Sequence, residues 1–312
     1  MTMQASRRDD GRPEQRVLRL GISGSSFVRV MPQELIKAAY LDGREGKIHK
    51  FDHRQNRLMV DFMRQLMNAV NDSPIQSMEC YHSLAWDNEP IMEVLLDNPR
   101  VEFWSVHAPY GRYANPSSPI PDERNGALAG ILDSIQIARR LGARVVVVHP
   151  GVDILYQCPR ENMIQHAIQT IGAAAEKAEE AGVMLGIEPL PKREIGNSLE
   201  EVLSLVRQIA HPNVGITLDT NHLFPPELVP ELLRKAAGLL VNVHISDQDG
   251  TERHWLPFEG KLDWKEVIRA LADVGYQGPL IYEAHLRGVS NCREVVSRIV
   301  ENYSRLVEHV LS

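Results

Sequence analysis

Acidic and histidine residues recur at the C-terminal ends of short apolar segments in this chain of 312 residues. Four of these segments, all in the second half of the chain, carry Glu188, Asp219, His244 and Glu283. Three carboxylates and one imidazole suit a divalent cation such as Mn²⁺, Mg²⁺, Co²⁺ or Zn²⁺. A carboxylate in an apolar segment needs a partner, because burying it unpaired costs on the order of several kcal/mol. We therefore predict that these four residues bind one divalent metal ion.

Such a metal site would leave coordination positions open for a substrate. Two adjacent oxygens of a sugar, a carbonyl and its neighbouring hydroxyl, could bind there, and the cation would polarise the carbonyl and stabilise an enediolate. A carboxylate beside the cation could then carry a proton to or from carbon. The ligand set thus favours proton transfer on a small carbohydrate.

Strands and helices alternate along the chain and must position these residues. The predicted strands are residues 17–23, 75–82, 101–108, 144–150, 183–189, 214–220, 239–246 and 279–285. Most are continuously apolar, as is typical of parallel strands that are buried on both faces. Amphipathic segments between them begin at capping residues such as Ser198 and Asp263 and end at Gly142 and Gly182.

The fold class that fits this alternation is α/β, with a single closed (β/α)8 TIM barrel. An open doubly wound sheet is the alternative, but that fold usually has a GxGxxG turn after its first strand, and GISGSSFVRV lacks this spacing. In the barrel, all strands end at one mouth, so residues that are distant in sequence would meet there. We assign residues 17–312 to the barrel and residues 1–16 to a disordered, polar N-terminal tail without a signal-peptide core.

Composition limits the partners of the chain. The net charge of −7 creates no long-range attraction to nucleic acid or to an acidic membrane. Cys80, Cys158 and Cys292 lie far apart, which is typical of reduced thiols. The longest apolar segments fall short of the roughly 18 residues that a membrane span needs. We expect a cytoplasmic protein with no membrane partner, for which nucleic acid is an unfavoured partner that only a local basic patch could bind.

Several stretches of the chain, taken in order and spacing, resemble the xylose isomerase-like TIM barrel superfamily. This superfamily holds sugar-phosphate isomerases and epimerases together with metal-dependent AP endonucleases. The stretches are VHAPYG (106–111), LGARVVVVHPG (141–151), GIEPL (186–190), GITLDTNH (215–222), VHISDQDGTERHWLPFEGKLDW (243–264) and IYEAH (281–285). The resemblance implies that Glu188, Asp219, His244 and Glu283 are the metal ligands of the isomerase and epimerase branch. It also implies that Glu188 and Glu283 are catalytic and exchange a proton with opposite faces of the sugar.

The endonuclease branch of the same superfamily uses three zinc ions, and this chain matches much of its ligand set. His107 and His149 match ligands of the first zinc, and His222 and His254 match ligands of the third. Glu252 stands where that branch has aspartate. Together with the four residues above, these five could therefore bind up to three Zn²⁺ ions. Alternatively, they could contact the substrate, as the resemblance to the epimerases implies for His222.

Our prediction is a metal-dependent isomerase or epimerase of a sugar or sugar phosphate. The acidic net charge is unfavourable for an enzyme that must bind DNA phosphates. The alternatives are a lyase or dehydratase acting on a keto-sugar or cyclitol, and an AP endonuclease-type zinc phosphodiesterase. Barrels of this kind often form dimers, so a homodimer is one candidate assembly.

Several further residues are candidates for the cavity. Lys192, Arg193 and Arg287 follow strand ends and could bind a phosphate or carboxylate, or face solvent. Glu79 and His82 on the second strand could reach the cavity, and Trp104, Trp255 and Phe258 could form an apolar wall. A basic connection after the first strand, with Arg44, Lys47, Lys50 and Arg54, is either a binding loop or a charged insert.

Overall fold

The computed structural model describes residues 18–38, 50–98 and 100–311, and within them it shows a closed barrel of eight parallel strands in sequence order. The strands are β1 (Leu20–Ser23), β2 (Ser77–Tyr81), β3 (Glu102–His107), β4 (Val145–Val148), β5 (Met184–Ile187), β6 (Val214–Asp219), β7 (Leu240–Ile245) and β8 (Leu280–Tyr282). Each lies inside a predicted strand, and the predicted (β/α)8 barrel is confirmed. The predicted tail, residues 1–16, lies outside the described residues.

Helices cover the outside of the barrel. They are α1 (Gln33–Ile36), α2 (His53–Asn71), α3 (Asn88–Leu96), α4 (Pro121–Leu141), α5 (Arg160–Ala181), α6 (Leu199–Ile209), α7 (Val229–Lys235), α8 (Trp264–Asp273) and α9 (Cys292–Leu311). Helix α6 begins where the Ser198 side chain accepts a hydrogen bond from the backbone N–H of Glu201. Helices α4 and α5 end at Gly142 and Gly182, whose φ angles of 69° and 70° suit glycine.

The connection between β1 and α2 is described only in part. It contains a 3₁₀ turn (Gly24–Phe27) and the short helix α1. Arg44 and Lys47 lie outside the described residues. Leu35 on α1 is buried, so this part of the connection packs against the body of the protein.

Two β-bulges shift the register of the sheet beside the residues predicted to do chemistry. In β3, Met78 pairs with Phe103 but Glu79 pairs with Ser105, so Trp104 is an extra residue. Bulges of this kind re-aim a side chain and are frequent beside active sites. The shift places the Ser105 hydroxyl, and not the indole of Trp104, next to Glu79.

The second bulge lies in β7. Ile216 pairs with Leu240 whereas Thr217 pairs with Asn242, so Val241 is the extra residue. As a result, Asp219 at the end of β6 pairs with His244. The bulge therefore sets two of the predicted metal ligands side by side.

Candidate metal centre

The four residues predicted to bind a metal meet at the C-terminal mouth of the barrel. Glu188 directly follows β5, Asp219 ends β6, His244 lies in β7 and Glu283 directly follows β8. One ligand atom from each residue lies within 4.8 Å of the others. Glu188, Asp219 and His244 are buried, and the Glu283 side chain is 13% exposed. The geometry is that of a group of donors around one point.

Asp219 shows that this donor set fits a cation. Its Oδ1 accepts a hydrogen bond from the backbone N–H of Asn221 at 2.7 Å, but its buried Oδ2 has no hydrogen-bond partner. Burial raises the pKa of Asp219 to about 7, and the neighbouring Glu283 and Glu188 charges add to this effect. An orphaned oxygen among other carboxylates is stabilised by a bound cation, which also lowers the pKa of its ligands.

Glu188 is surrounded by histidine nitrogens. Its Oε1 lies 3.3 Å from Nδ1 of His222 and 3.4 Å from Nδ1 of His244, and its Oε2 lies 3.1 Å from Nε2 of His149. Burial would raise the pKa of Glu188, but the charge of His244 and hydrogen bonds from other histidines hold it well below its ordinary value. Glu188 is therefore a carboxylate at neutral pH.

Glu283 is held from two sides. Its Oε2 lies 2.8 Å from Nδ1 of His244, and its Oε1 accepts a hydrogen bond from the Ser25 hydroxyl at 2.9 Å. Burial would raise the pKa of Glu283, but the charge and hydrogen bond of His244 lower it. Ser25 follows β1 and was not singled out from the sequence, because a lone serine in a turn gives no signal.

The residues predicted as substrate-binding or additional metal ligands lie in the same cavity. Two further groups of donor atoms have the spacing of a metal site: His107, His149 and Glu188 form one, and Asp219, His222 and His254 form the other. Glu252 lines the cavity, but its Oε2 lies 2.9 Å from Nζ of Lys192, and its Oε1 lies 3.9 Å from Nε2 of His254.

The loop after β7 that carries Glu252 and His254 is fixed by two buried side chains. Asn221 Oδ1 accepts hydrogen bonds from the backbone N–H groups of Arg253 and His254, both at 2.8 Å. The φ angle of His254 is 52°, a left-handed conformation that costs energy for a non-glycine residue. The carboxylate of Asp247 accepts from the backbone N–H of Phe258 at 2.8 Å and from Nε1 of Trp264 at 2.9 Å.

The cavity above the donor groups has a volume of about 240 Å³. Its lining includes Asp153, Glu194 and Glu252, together with Lys192, which pairs with Glu252. Arg193 pairs with Asp153 at 3.1 Å and is not among the lining residues. An open groove of about 550 Å³ lies outside the barrel between α2, α3 and α4, but its lining contains none of the predicted ligands.

Glu194 is a cavity residue that sequence reasoning missed. Its Oε2 is buried without a hydrogen-bond partner, and burial together with the charge of Asp153 raises its pKa to about 7. Tyr110 was also missed; its ring stacks on His149 with centroids 4.7 Å apart. Both residues follow strands in irregular loops, where no periodicity marks them.

Some candidates from the sequence lie elsewhere. His82 points away from the cavity, with Nδ1 2.7 Å from the Ser134 hydroxyl of α4, whereas Glu79 on the same strand points inward. The ring of Trp104 contacts the guanidinium groups of Arg19 and Arg144, which lie 5.0 and 5.2 Å from its centre. The cavity lining does not include Trp255, Phe258 or Arg287.

A family model described as the xylose isomerase-like TIM barrel matches residues 70–302. The chain belongs to this family. The resemblance inferred from the sequence is thereby confirmed.

Among its relatives, a D-psicose 3-epimerase of Ruminiclostridium cellulolyticum is 27% identical over 180 residues, which cover 55% of this chain and 60% of the epimerase. A solved D-tagatose 3-epimerase-like protein has a TM-score of 0.68 at 22% identity, covering 94% of this chain and 98% of its own. A solved IOLI protein with a bound zinc atom has a TM-score of 0.69 at 14% identity, and the match covers 94% of this chain and 99% of the IOLI chain. The structures share the fold of this chain, and the sugar epimerases among the relatives agree with the prediction of an isomerase or epimerase.

In the described ranges, no helix has both the length and the apolarity to cross a bilayer.

Proposed function

We propose that the protein is a metal-dependent epimerase or isomerase of an unphosphorylated ketose. The observation that carries this proposal is the group of four donor residues within 4.8 Å, in which two glutamates come from different sides of the barrel. The D-psicose 3-epimerase relative supports the choice of a ketose as the substrate.

Glu188, Asp219, His244 and Glu283 would hold one divalent cation. When bound, the cation would supply a Lewis acid that polarises the substrate oxygens next to the reacting carbon. The orphaned Oδ2 of Asp219 is one of the oxygens that this ion would satisfy.

Glu188 and Glu283 would move the proton. Both are carboxylates at neutral pH, since the pKa of each is lowered by neighbouring histidines. Inversion at carbon requires that a proton leaves one face and returns to the other. Two carboxyl groups carried by β5 and β8, which are separated by two strands, can serve such a reaction: one, as carboxylate, takes the proton from carbon, and the other first takes up a proton from solvent and then returns it to the opposite face.

The charges of the cavity favour a substrate without phosphate. Glu252 and Asp153, which line the cavity, form ion pairs with Lys192 and Arg193, so both of these basic side chains are already neutralised. A phosphate dianion would have to displace one of these carboxylates from its cation, whereas the hydroxyls of an unphosphorylated sugar need no such exchange.

Glu188→Gln and Glu283→Gln test the proton transfer. Each variant should lose turnover by about 10²- to 10⁴-fold, because a group that transfers the proton is removed while its shape is kept. The measurement is exchange of deuterium from solvent into carbon-bound positions of free ketoses, with Mn²⁺, Co²⁺ or Mg²⁺ supplied. Glu89→Gln, on the outer surface, is the control. Full turnover by Glu283→Gln would overturn the mechanism.

A zinc-dependent phosphodiester hydrolase is the second candidate. It is favoured by one observation, the two additional donor groups that flank the central four. Against it stand the net charge of −7 and the pairing of Glu252 with Lys192.

A further inference from the structure

Glu79 is a buried carboxylate that the proposed reaction does not use. It lies on β2 with 0% exposure. Its Oε1 accepts a hydrogen bond from the Ser23 hydroxyl at 2.9 Å, and its Oε2 accepts one from the Ser105 hydroxyl at 2.7 Å. Its Oε2 also lies 2.8 Å from Nε2 of His244. Every close partner of this carboxylate can donate a hydrogen.

The two ring nitrogens of His244 face different groups. Nδ1 lies 2.8 Å from Oε2 of Glu283 and 3.4 Å from Oε1 of Glu188, so it faces the donor group. Nε2 faces Glu79. A histidine that binds a metal through Nδ1 carries its hydrogen on Nε2, and the acceptor of that hydrogen sets the ring orientation.

We propose that Glu79 is a positioning residue that accepts the Nε2 hydrogen of His244 and thereby directs the Nδ1 lone pair to the metal. This inference rests on the proposed function, since it requires a cation at the four donor residues. Packing alone does not account for Glu79, because an apolar side chain would fill the same space without the cost of burying a carboxylate.

The sheet register supports a dedicated role. Ser23 pairs with Glu79 across β1 and β2, and the bulge at Trp104 brings Ser105 opposite Glu79 on the other side. The two hydroxyls therefore hold the carboxylate from both neighbouring strands. Its Oε2 also faces the imidazole of His244 at 2.8 Å and, at the longer distance of 3.5 Å, the amide nitrogen of Asn242.

Titration calorimetry of the full-length chain, freed of metal and then titrated with Mn²⁺, tests this inference. Glu79→Gln should weaken Mn²⁺ binding by about 10- to 100-fold, the usual effect of removing a partner of a metal-binding histidine. Glu123→Gln is the matched control, because Glu123 is also buried and accepts from Arg112 and Tyr156, away from the barrel interior. The control should bind Mn²⁺ as the wild type does. Glu79→Ala should bind Mn²⁺ still more weakly. If Glu79→Ala does not fold, the Mn²⁺ affinity of Glu79→Gln alone tests the inference.

Nuclear magnetic resonance gives a second readout, which observes the hydrogen bond between Nε2 of His244 and Glu79 directly. In the Zn²⁺-bound protein with ¹⁵N-labelled histidine, His244 should show a hydrogen on Nε2 that exchanges slowly and resonates downfield. Glu79→Gln should move this resonance upfield. Unchanged Mn²⁺ affinity in Glu79→Gln, or Zn²⁺ bound through Nε2 of His244, would overturn the inference alone. A wild-type protein that binds neither metal would overturn the proposed function as well.

Discussion

His82 shows what burial does to a titratable side chain outside the metal group. Its Nδ1 lies 2.7 Å from the Ser134 hydroxyl and its Nε2 lies 3.2 Å from the amide nitrogen of Asn88. Burial lowers the pKa of His82 to about 4, and the charge of Lys50 adds to this. The native protein therefore keeps this imidazole neutral at mildly acidic pH.

The sign of the resulting pH dependence follows from the unfolded chain, in which the pKa of histidine is about 6.5. As the pH falls from about 6.5 to about 4, the unfolded chain binds a proton at this position and the native protein does not, so stability decreases. We expect His82 to account for a loss of about 2 kcal/mol between pH 7 and pH 5. Urea unfolding at both pH values should show a smaller loss in His82→Gln than in the wild type. The exposed His53→Gln is the control, and equal losses in His82→Gln and wild type would contradict the prediction.

Single residues differ in how well the sequence predicts their place. Glu188, Asp219, His244 and Glu283 could be found because each is a polar group at the end of an apolar segment. Glu79 and His82 could not be told apart, because the segment IQSMECYH shows no alternation that marks its inner face. Glu194 could not be found at all, since its loop has no periodic pattern and its position depends on the neighbouring loops that carry Asp153 and Glu252.

At the scale of elements, the strands were predictable and their exact pairing was not. An apolar segment such as VEFWSVHA indicates a buried strand, but nothing in it shows that Trp104 is the extra residue of a bulge. The same holds for Val241 in β7. Both bulges depend on the partner strand, so the register that aligns Asp219 with His244 is a property of the assembled sheet.

The loop after β7 depends on Asp247, which the sequence analysis did not single out as functional. Besides Phe258 and Trp264, the backbone N–H of Leu262 donates to this buried carboxylate at 3.1 Å. Asp247→Asn replaces one acceptor oxygen with a donor that faces other donors, so we expect a loss of about 2–4 kcal/mol in the free energy of unfolding. Urea denaturation followed by Trp fluorescence measures it.

Asp247→Asn should also weaken substrate binding, because this loop carries the cavity residues Glu252 and His254. We expect the KM of Asp247→Asn for its ketose substrate to rise. Asp249→Asn lies in the same loop, where Asp249 pairs with Arg253 at the surface, and it should unfold close to wild type. A variant of Asp247 as stable as that control would show that the loop is held by other contacts.

At the scale of the whole molecule, the alternation of strands and helices predicted a parallel α/β fold, and eight such units without the GxGxxG turn of an open doubly wound sheet favoured one closed barrel. The start of the domain at residue 17 stays a prediction, as do the cytoplasmic location and a homodimer. The number of bound metal ions is also a property of the whole molecule, since the three donor groups draw residues from β3 to β8 and the segments after them and share Glu188 and Asp219.

The metal content therefore distinguishes the two candidate functions. We expect about one divalent ion per chain after Mn²⁺ loading and dialysis, measured by inductively coupled plasma mass spectrometry. Because the ion binds the native state and neutralises buried carboxylates, its removal by chelation should lower the Tm, and one equivalent of Mn²⁺ should restore it. Glu283→Gln, which removes a ligand charge, should gain less in Tm from Mn²⁺ than the wild type. Three zinc ions per chain, together with cleavage of an abasic DNA duplex that stops when a chelator is added, would instead establish the hydrolase and rule out the ketose epimerase as the main activity.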